Sequence, residues 1–137
     1  MPNWCSNIIY LKHLDPRQME RAEKALKRGE FMAEFFPRPE NKDWYEWNVE
    51  NWGTKWDVVS ESNFYKGDIL VASYESAWTP PIAFYQYMLK LGFVVRALYY
   101  EPMLDFCGIF DNGEVDHYNI TEMGIPEEIK EEFGIYL

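Results

Sequence analysis

We expect one domain spanning residues 1–137, because 137 residues is an ordinary domain length and long enough to bury a substantial core. Hydrophobic residues make up 47% of the chain and aromatic residues 18%, a composition that excludes intrinsic disorder. The net charge is -10 at pH 7, which repels phosphate polymers, so nucleic acid is disfavoured as a partner and a cationic surface is favoured.

The sequence gives no sign of a membrane segment, a metal site or a cofactor. No stretch approaches the roughly 20 apolar residues of a membrane span, and the first four residues lack a basic run, so we expect a cytoplasmic protein with no membrane contact. Cys5 and Cys107 have neither C-x-x-C spacing nor a nearby histidine, and His13 and His117 have no spaced partners. We expect two buried thiols and no metal ligands.

A strand and a helix open the chain. Residues 4–12 alternate with the period of two that a half-buried strand shows. Asp15 and Pro16 then provide an N-cap and a first-turn proline, and Gly29 provides the stop signal of the helix.

An aromatic-rich insertion is expected at about residues 31–54. Asp43 and Glu46 have the spacing of a capping box for one or two short helical turns. A segment this long and this aromatic is expected to be packed rather than free in solvent.

Two strands, a helix and a further strand follow. The strands are predicted at residues 55–60 and 68–75, where β-branched and aromatic residues are frequent, and they should pair antiparallel. Thr79-Pro80-Pro81 repeats the cap-plus-proline start signal of a helix. Residues 93–101 alternate again and predict a strand.

The order β-α-β-β-α-β with two right-handed crossovers predicts an α+β fold, a ferredoxin-like plait with an antiparallel sheet and both helices on one face. Asn112-Gly113, between residues 106–110 and 114–120, is the strongest hairpin signal in the chain. A C-terminal β-hairpin and a short acidic helix at residues 126–133 are therefore expected to extend the plait.

Several tryptophan-containing motifs occur in a specific order. They are Met1-Pro2-Asn3-Trp4-Cys5 with Asn7, the NWGTKWD stretch at 51–57, Ala77-Trp78-Thr79-Pro80-Pro81, and Tyr99-Tyr100-Glu101-Pro102 followed by Phe106-Cys107-Gly108. In these motifs the chain resembles the YubB-like ferredoxin-fold family, which is carried on plasmids, phages and other mobile elements. The resemblance covers most of the chain, residues 13–50 being the least distinctive part. It implies a ferredoxin-like domain and brings no catalytic residue set.

The tryptophan clusters form the candidate binding surface. Entry to the predicted second strand and exit from the third lie at one end of the sheet, so we expect these clusters to be close. Partly exposed indoles with one cation would suit a planar or cyclic ligand, whereas the alternative that the tryptophans are core stays open. The candidate ligand- or partner-binding residues are Asn3, Trp4, Trp52, Lys55, Trp56, Trp78, Thr79 and Glu101.

The main functional hypothesis is an uncharacterised, mobile-element-encoded binding or protein-interaction module. Enzymatic activity is disfavoured because the chain lacks P-loop, nucleophile-elbow and zincin motifs. One alternative is a small-molecule receptor or enzyme that uses a cleft of Trp52, Lys55, Trp78 and Glu101. Another is an acidic inhibitor of a host nucleic-acid-binding protein, in which Glu127, Glu128, Glu131 and Glu132 imitate a row of phosphates.

Base stacking on the sheet is a further possibility for a fold of this kind. An exposed sheet face would offer Trp4, Tyr10, Tyr74 or Tyr100 to single-stranded nucleic acid. The net charge of -10 argues against it.

Overall fold

One six-stranded antiparallel sheet organises the protein, whose computed structural model describes residues 3–136. Met1 and Pro2 of the first motif, and Leu137, lie outside the described residues. The chain has the predicted α+β fold. Its elements in order are β1 (Trp4–Lys12), α1 (Pro16–Arg28), α2 (Phe31–Phe35), α3 (Trp44–Asn51), β2 (Ser62–Lys66), β3 (Ile69–Ala77), α4 (Ile82–Lys90), β4 (Val94–Glu101), a 3-10 turn (Pro102–Leu104), β5 (Phe106–Asp111), β6 (Glu114–Asn119), α5 (Ile120–Met123) and α6 (Glu127–Phe133).

The strands lie in the order β2-β3-β1-β4-β5-β6. The chain crosses over twice, from β1 to β2 through α1, α2 and α3, and from β3 to β4 through α4. At the centre of the sheet Ile9 lies between Ala72 of β3 and Ala97 of β4. The predicted Asn112-Gly113 hairpin joins β5 to β6, and β5 pairs with β4.

The larger core lies between one sheet face and helices α1, α2 and α4. The residues of β1 that alternate as predicted, Cys5, Asn7, Ile9 and Leu11, are all buried on this face. Leu26 of α1, Phe31 of α2 and Phe84 of α4 pack into the same cluster. Burial of these side chains supplies most of the hydrophobic stabilisation, at roughly 25 cal/mol per Å² of apolar surface.

The second sheet face is covered over only part of its width. Ile129 of α6 is buried against Leu98 and Cys107. Two polar contacts also fix the helix: Arg96 donates to Glu128 at 2.7 Å, and the Tyr10 hydroxyl donates to Glu132 at 2.7 Å. The helix thus covers the side of the sheet around β4 and β5.

Local signals placed the two longest helices of the first crossover. Asp15 accepts the N–H of Arg17 at 3.0 Å before α1, and Gly29 ends the helix with a φ of 81°. Asp43 accepts the N–H of Glu46 at 3.1 Å and caps α3. The insertion predicted at about residues 31–54 thus contains two helices, α2 and α3.

The predicted strand at residues 55–60 is wrong, because this segment is a loop and β2 begins at Ser62. Its main hydrogen bonds run to helices: Asp57 accepts from the α2 backbone, and the N–H of Ser60 donates to Leu26 at 2.9 Å. The backbone N–H of Glu61, just before β2, donates to Ser73 of β3 at 2.7 Å. The composition of this segment favours a strand, but the Asp57 carboxylate binds it to the α2 backbone instead.

A packing test of the sheet is available at Gly108. The Tyr99 ring lies across this glycine, and a Cβ there would overlap the ring and lie 2.6 Å from the Asp116 carbonyl oxygen. We expect Gly108→Ala to lower the free energy of unfolding by about 1–3 kcal/mol, measured by urea denaturation. In a Tyr99→Ala background the same substitution should cost less, because the ring is gone. Equal costs in both backgrounds would contradict this packing.

Candidate functional site

Six of the eight predicted site residues converge at the corner where β1 begins and β3 ends. The Trp4 and Trp56 ring centroids are 6.1 Å apart, and Trp4 lies opposite Ala77 in the sheet. The N–H of Trp78 donates to the Asn3 carbonyl at 2.8 Å. We call this surface the tryptophan rim: Asn3, Trp4, Lys55, Trp56, Trp78 and Thr79.

Two threonines tie the loop that follows α3 to the end of β3. The Thr54 hydroxyl donates to the Ala77 carbonyl at 2.8 Å, and the Thr79 hydroxyl donates to the Gly53 carbonyl at 2.7 Å. The first bond is buried, where a hydrogen bond is electrostatically stronger than in water. Residues 53–54 of the loop and residues 77–79 at the end of β3 are therefore fixed to each other at this corner.

Gly53 is required at this crossing for two reasons. Its φ is 84°, in the left-handed region that glycine adopts at little cost. A Cβ there would lie 3.1 Å from the backbone nitrogen of Ala83 and 3.2 Å from that of Ile82. The loop therefore passes against the start of α4 at a distance that a side chain would prevent.

Asp57 anchors the same loop from the other side. Its carboxylate accepts three backbone N–H groups, from Met32 at 2.8 Å, Ala33 at 2.9 Å and Val58 at 2.8 Å. Two of these donors belong to the first turn of α2, whose positive end favours an acceptor. Burial raises the pKa of Asp57 above its ordinary value, and the three donors act in the opposite direction.

The rim presents indole surface to solvent beside a single cation. Trp4, Trp56 and Trp78 are 44%, 39% and 40% exposed. The Lys55 ammonium lies 4.7 Å from the Trp56 ring centroid and 5.7 Å from that of Tyr45, both within cation–π range. The surface thus offers flat apolar rings and a positive charge that the rings hold in position.

Trp78 adopts a backbone conformation that is rare for a bulky residue. Its φ is 69°, and left-handed backbone costs a non-glycine residue about 1–2 kcal/mol. The N–H bond to Asn3 and the neighbouring Thr79 bond maintain this conformation. The Trp78 indole is thus exposed at a position whose backbone conformation favours glycine.

A small cavity of about 170 Å³ opens beneath Trp78. Tyr45 and Val49 of α3 form one side of it, and Thr54, Lys55 and Thr79 form the other. Among the described residues that line it there is one amine and one phenol, but no carboxylate, thiol or imidazole. The cavity can accept a small group, and Lys55 and Tyr45 are the titratable side chains among the described residues that line it.

Two predicted site residues are not on the rim, so the predicted cleft of Trp52, Lys55, Trp78 and Glu101 is wrong. Trp52 is only 5% exposed, and its indole N–H donates to the Phe36 carbonyl at 2.9 Å. Glu101 is fully buried, and its Oε1 accepts the N–H of Met103 at 2.9 Å in the 3-10 turn. Trp52 belongs to the core, whereas Glu101 ends β4 inside the protein.

The Cys5 thiol is buried near Glu101. Burial raises the pKa of Cys5 to about 12, and the Glu101 carboxylate acts in the same direction. Burial also raises the pKa of Cys107. Both cysteines are free and buried, as the sequence predicted.

The predicted stacking face does not exist as an open surface. Tyr74 faces the larger core, and Tyr10 and Tyr100 pack in the cluster beneath α6, which leaves Trp4 as the exposed member of the set. The acidic row is also interrupted, since Glu128 is paired with Arg96 and Glu132 accepts from Tyr10. Glu127 and Glu131 of that helix are exposed.

Sequence reasoning missed Tyr45, Val49 and Asp57. The capping box at Asp43 located α3, but a helix of eight residues with weak apolar periodicity did not reveal which face would line a cavity. Asp57 stood inside a stretch that resembled a strand. Its acceptor role depends on the N-terminus of α2, a helix that the sequence pattern did not predict.

Comparison of the chain with protein-family models, with curated proteins and with solved structures finds no match. Within residues 3–136, no group of three or more His, Cys, Asp or Glu side chains is arranged to hold a metal ion. None of the helices in this described part of the chain is long and apolar enough to cross a membrane.

The strain at Trp78 predicts an inverted order of two substitutions. Trp78→Gly should be more stable than Trp78→Ala by about 1 kcal/mol, because glycine has no Cβ penalty at this φ. The matched pair at Trp56 should show the ordinary order, with alanine more stable by about 0.5–1 kcal/mol. Urea denaturation of the four variants measures both differences. Alanine being favoured at both positions would refute the argument.

Loss of the acceptor at Asp57 should loosen the loop and α2 together. We expect Asp57→Asn to lower the free energy of unfolding by about 1–3 kcal/mol, since partly buried N–H groups lose a charged acceptor. Hydrogen exchange at the Met32 and Ala33 amides should accelerate. Asp43→Asn is the control, because asparagine is an equally good N-cap. Similar behaviour of the two variants would show that Asp57 has no special role.

Proposed function

We propose that the chain is a non-catalytic binding module whose tryptophan rim contacts a partner protein. The observation that carries this proposal is the exposure of Trp4, Trp56 and Trp78 at one corner that backbone contacts hold in place. Tryptophan is enriched among the residues that dominate interface energies, and rigid rings lose little entropy on binding. Large exposed rings are therefore best explained by a surface that covers them.

A protein is favoured over a small ligand by the size of the cavity. The space beneath Trp78 measures about 170 Å³, whereas pockets for small molecules measure about 300–1,000 Å³. The rings around it lie open to solvent rather than enclosing a volume. A partner surface that inserts one small side chain and covers the flat rings fits this geometry better.

Binding is favoured over catalysis by the chemistry at the corner. Lys55 is held against the Trp56 and Tyr45 rings, and the cavity offers no second titratable group that could exchange a proton with it except the Tyr45 phenol. Glu101, which the cleft hypothesis needed, is enclosed at the end of β4. General acid–base catalysis requires both partners within hydrogen-bond reach of a substrate.

We further propose that β1 to β4 with α1 and α4 form a ferredoxin-like plait of the YubB-like family carried by mobile elements. The strand order supports it: β3 lies between β1 and β2, and β1 lies between β3 and β4, as in two split βαβ units. The motifs of the resemblance also meet in space, since the Asn3 carbonyl accepts from Trp78 and the Gly53 carbonyl accepts from Thr79. Motifs that are far apart in the sequence therefore lie at one surface.

Site-specific photo-crosslinking in cells that carry this gene tests the proposed function. A photoreactive residue at Val49, which lines the cavity, should give an adduct with a partner protein, whereas one at Val94, which is at least as exposed, should not. Val94 lies at the opposite end of the sheet, across from Lys12. Adding Trp56→Ala should reduce the Val49 adduct at least tenfold, as expected for a residue worth about 1.4 kcal/mol or more.

Thermal unfolding of each variant serves as the folding control. Absence of any adduct, equal adducts at both positions, or an adduct that Trp56→Ala leaves unchanged would refute the rim as a binding surface.

A further inference from the structure

A second surface lies on the part of the sheet that α6 leaves open. A trough of about 450 Å³ runs over β1, β3 and β2, with Phe133 of α6 at one side. It is larger than the rim cavity and falls within the size range of ligand pockets. We call it the acidic trough; the lining residues that matter here are Ile8, Glu61, Phe64, Val71, Glu75 and Glu132.

The floor of the acidic trough is apolar at Ile8, Phe64 and Val71, and Ser62 and Ser73 also line it. Phe64 of β2 lies opposite Val71 of β3, and Ile8 of β1 lines the same space. Phe64 is 52% exposed, although the ring stands on a sheet face and not in a loop. Covering apolar surface of this kind is worth roughly 25 cal/mol per Å², so the floor favours an apolar occupant.

The walls are negatively charged and already oriented. Glu61, Glu75 and Glu132 line the trough, and no lysine or arginine is among the described residues that do so. The Ser6 hydroxyl donates to one oxygen of Glu75 at 3.3 Å, and the Tyr10 hydroxyl donates to one oxygen of Glu132 at 2.7 Å. Each carboxylate keeps its other oxygen for a further donor, and holding it in place lowers the entropy cost of binding.

A neighbouring depression continues the same surface towards the N-terminal end of β1. It has a volume of about 330 Å³ and shares Glu61 and Glu75 with the trough, and its other end is formed by Trp4 and Val59. The two carboxylates therefore stand between two apolar areas. Alternation of apolar area and negative charge calls for an occupant with alternating apolar and positive side chains.

We propose that the acidic trough docks a short basic segment of a partner protein, with apolar side chains on Phe64 and Val71 and lysine or arginine side chains on Glu61, Glu75 and Glu132. The volume suits a few side chains rather than a whole helix, and the charges are complementary. This surface is distinct from the rim cavity, and the inference goes beyond the proposed function and does not depend on it.

Fluorescence anisotropy with the purified full chain tests the proposal. The probe is a fluorescein-labelled short peptide of alternating lysine and valine, and the same peptide with glutamate in place of lysine is the negative probe. We expect saturable binding of the basic peptide that weakens as salt is raised. The triple variant Glu61→Gln, Glu75→Gln, Glu132→Gln should bind at least tenfold more weakly, and Phe64→Ser should also weaken binding.

Matched controls separate a docking site from general attraction to an acidic protein. Glu40→Gln, Glu50→Gln, Glu114→Gln together remove the same charge from exposed positions outside the trough, and Val115→Ser removes an exposed apolar side chain from another strand. Both controls should bind like the unmodified protein.

Equal weakening by the two triple variants, or no binding by the unmodified protein, would overturn the proposal. Concentration-dependent dimerisation that Phe64→Ser abolishes would also overturn it and assign the trough to a second copy of this chain. Because Trp56→Ala leaves the trough intact, failure of peptide binding and failure of rim crosslinking are separate results.

Discussion

The tryptophan-rich corner depends on one half-buried carboxylate. Asp57 accepts two N–H groups at the start of α2 and one from Val58, and so joins the loop after α3 to a helix on the opposite side of the insertion. A half-buried acceptor with three donors favours the arrangement of its neighbours that keeps all three bonds. Trp56, which directly precedes it, therefore has a fixed place beside Trp4.

The same anchor limits the sheet. Because residues 55–60 are bound to helices, β2 has only five residues, Ser62–Lys66. It pairs with residues 69–73, the first part of β3. At the end of β3, the Ala77 carbonyl accepts from Thr54 of the loop. The N–H of the next residue, Trp78, donates to Asn3. The rim and the short edge strand therefore have one cause: residues 55–60 are bound to helices and do not join the sheet.

The features that could be predicted from the sequence are those with local causes. Alternation revealed β1, the Asp15 cap and Gly29 revealed α1, and Asn112-Gly113 revealed the second hairpin. The closeness of Trp4 and Trp78 follows from the antiparallel pairing of β1 with β3, whereas Trp56 reaches Trp4 through a loop that the sequence pattern assigned to a strand. Whether each indole was core or surface did not follow from the sequence, because this depends on which partner covers the ring: Trp52 finds Phe36 and Trp47, whereas Trp56 finds Lys55 and solvent.

Helix α6 decides what the second sheet face can bind. Its contacts with the sheet are specific, since Ile129 is buried and the Arg96 guanidinium holds the pKa of Glu128 below its ordinary value. By covering Tyr10 and Tyr100 it removes the rings on which bases would stack. The same helix brings Glu132 to the edge of the uncovered strands. The uncovered part of this face therefore carries the carboxylates of Glu61, Glu75 and Glu132 beside apolar side chains, and negative charge of this kind is unfavourable for phosphate.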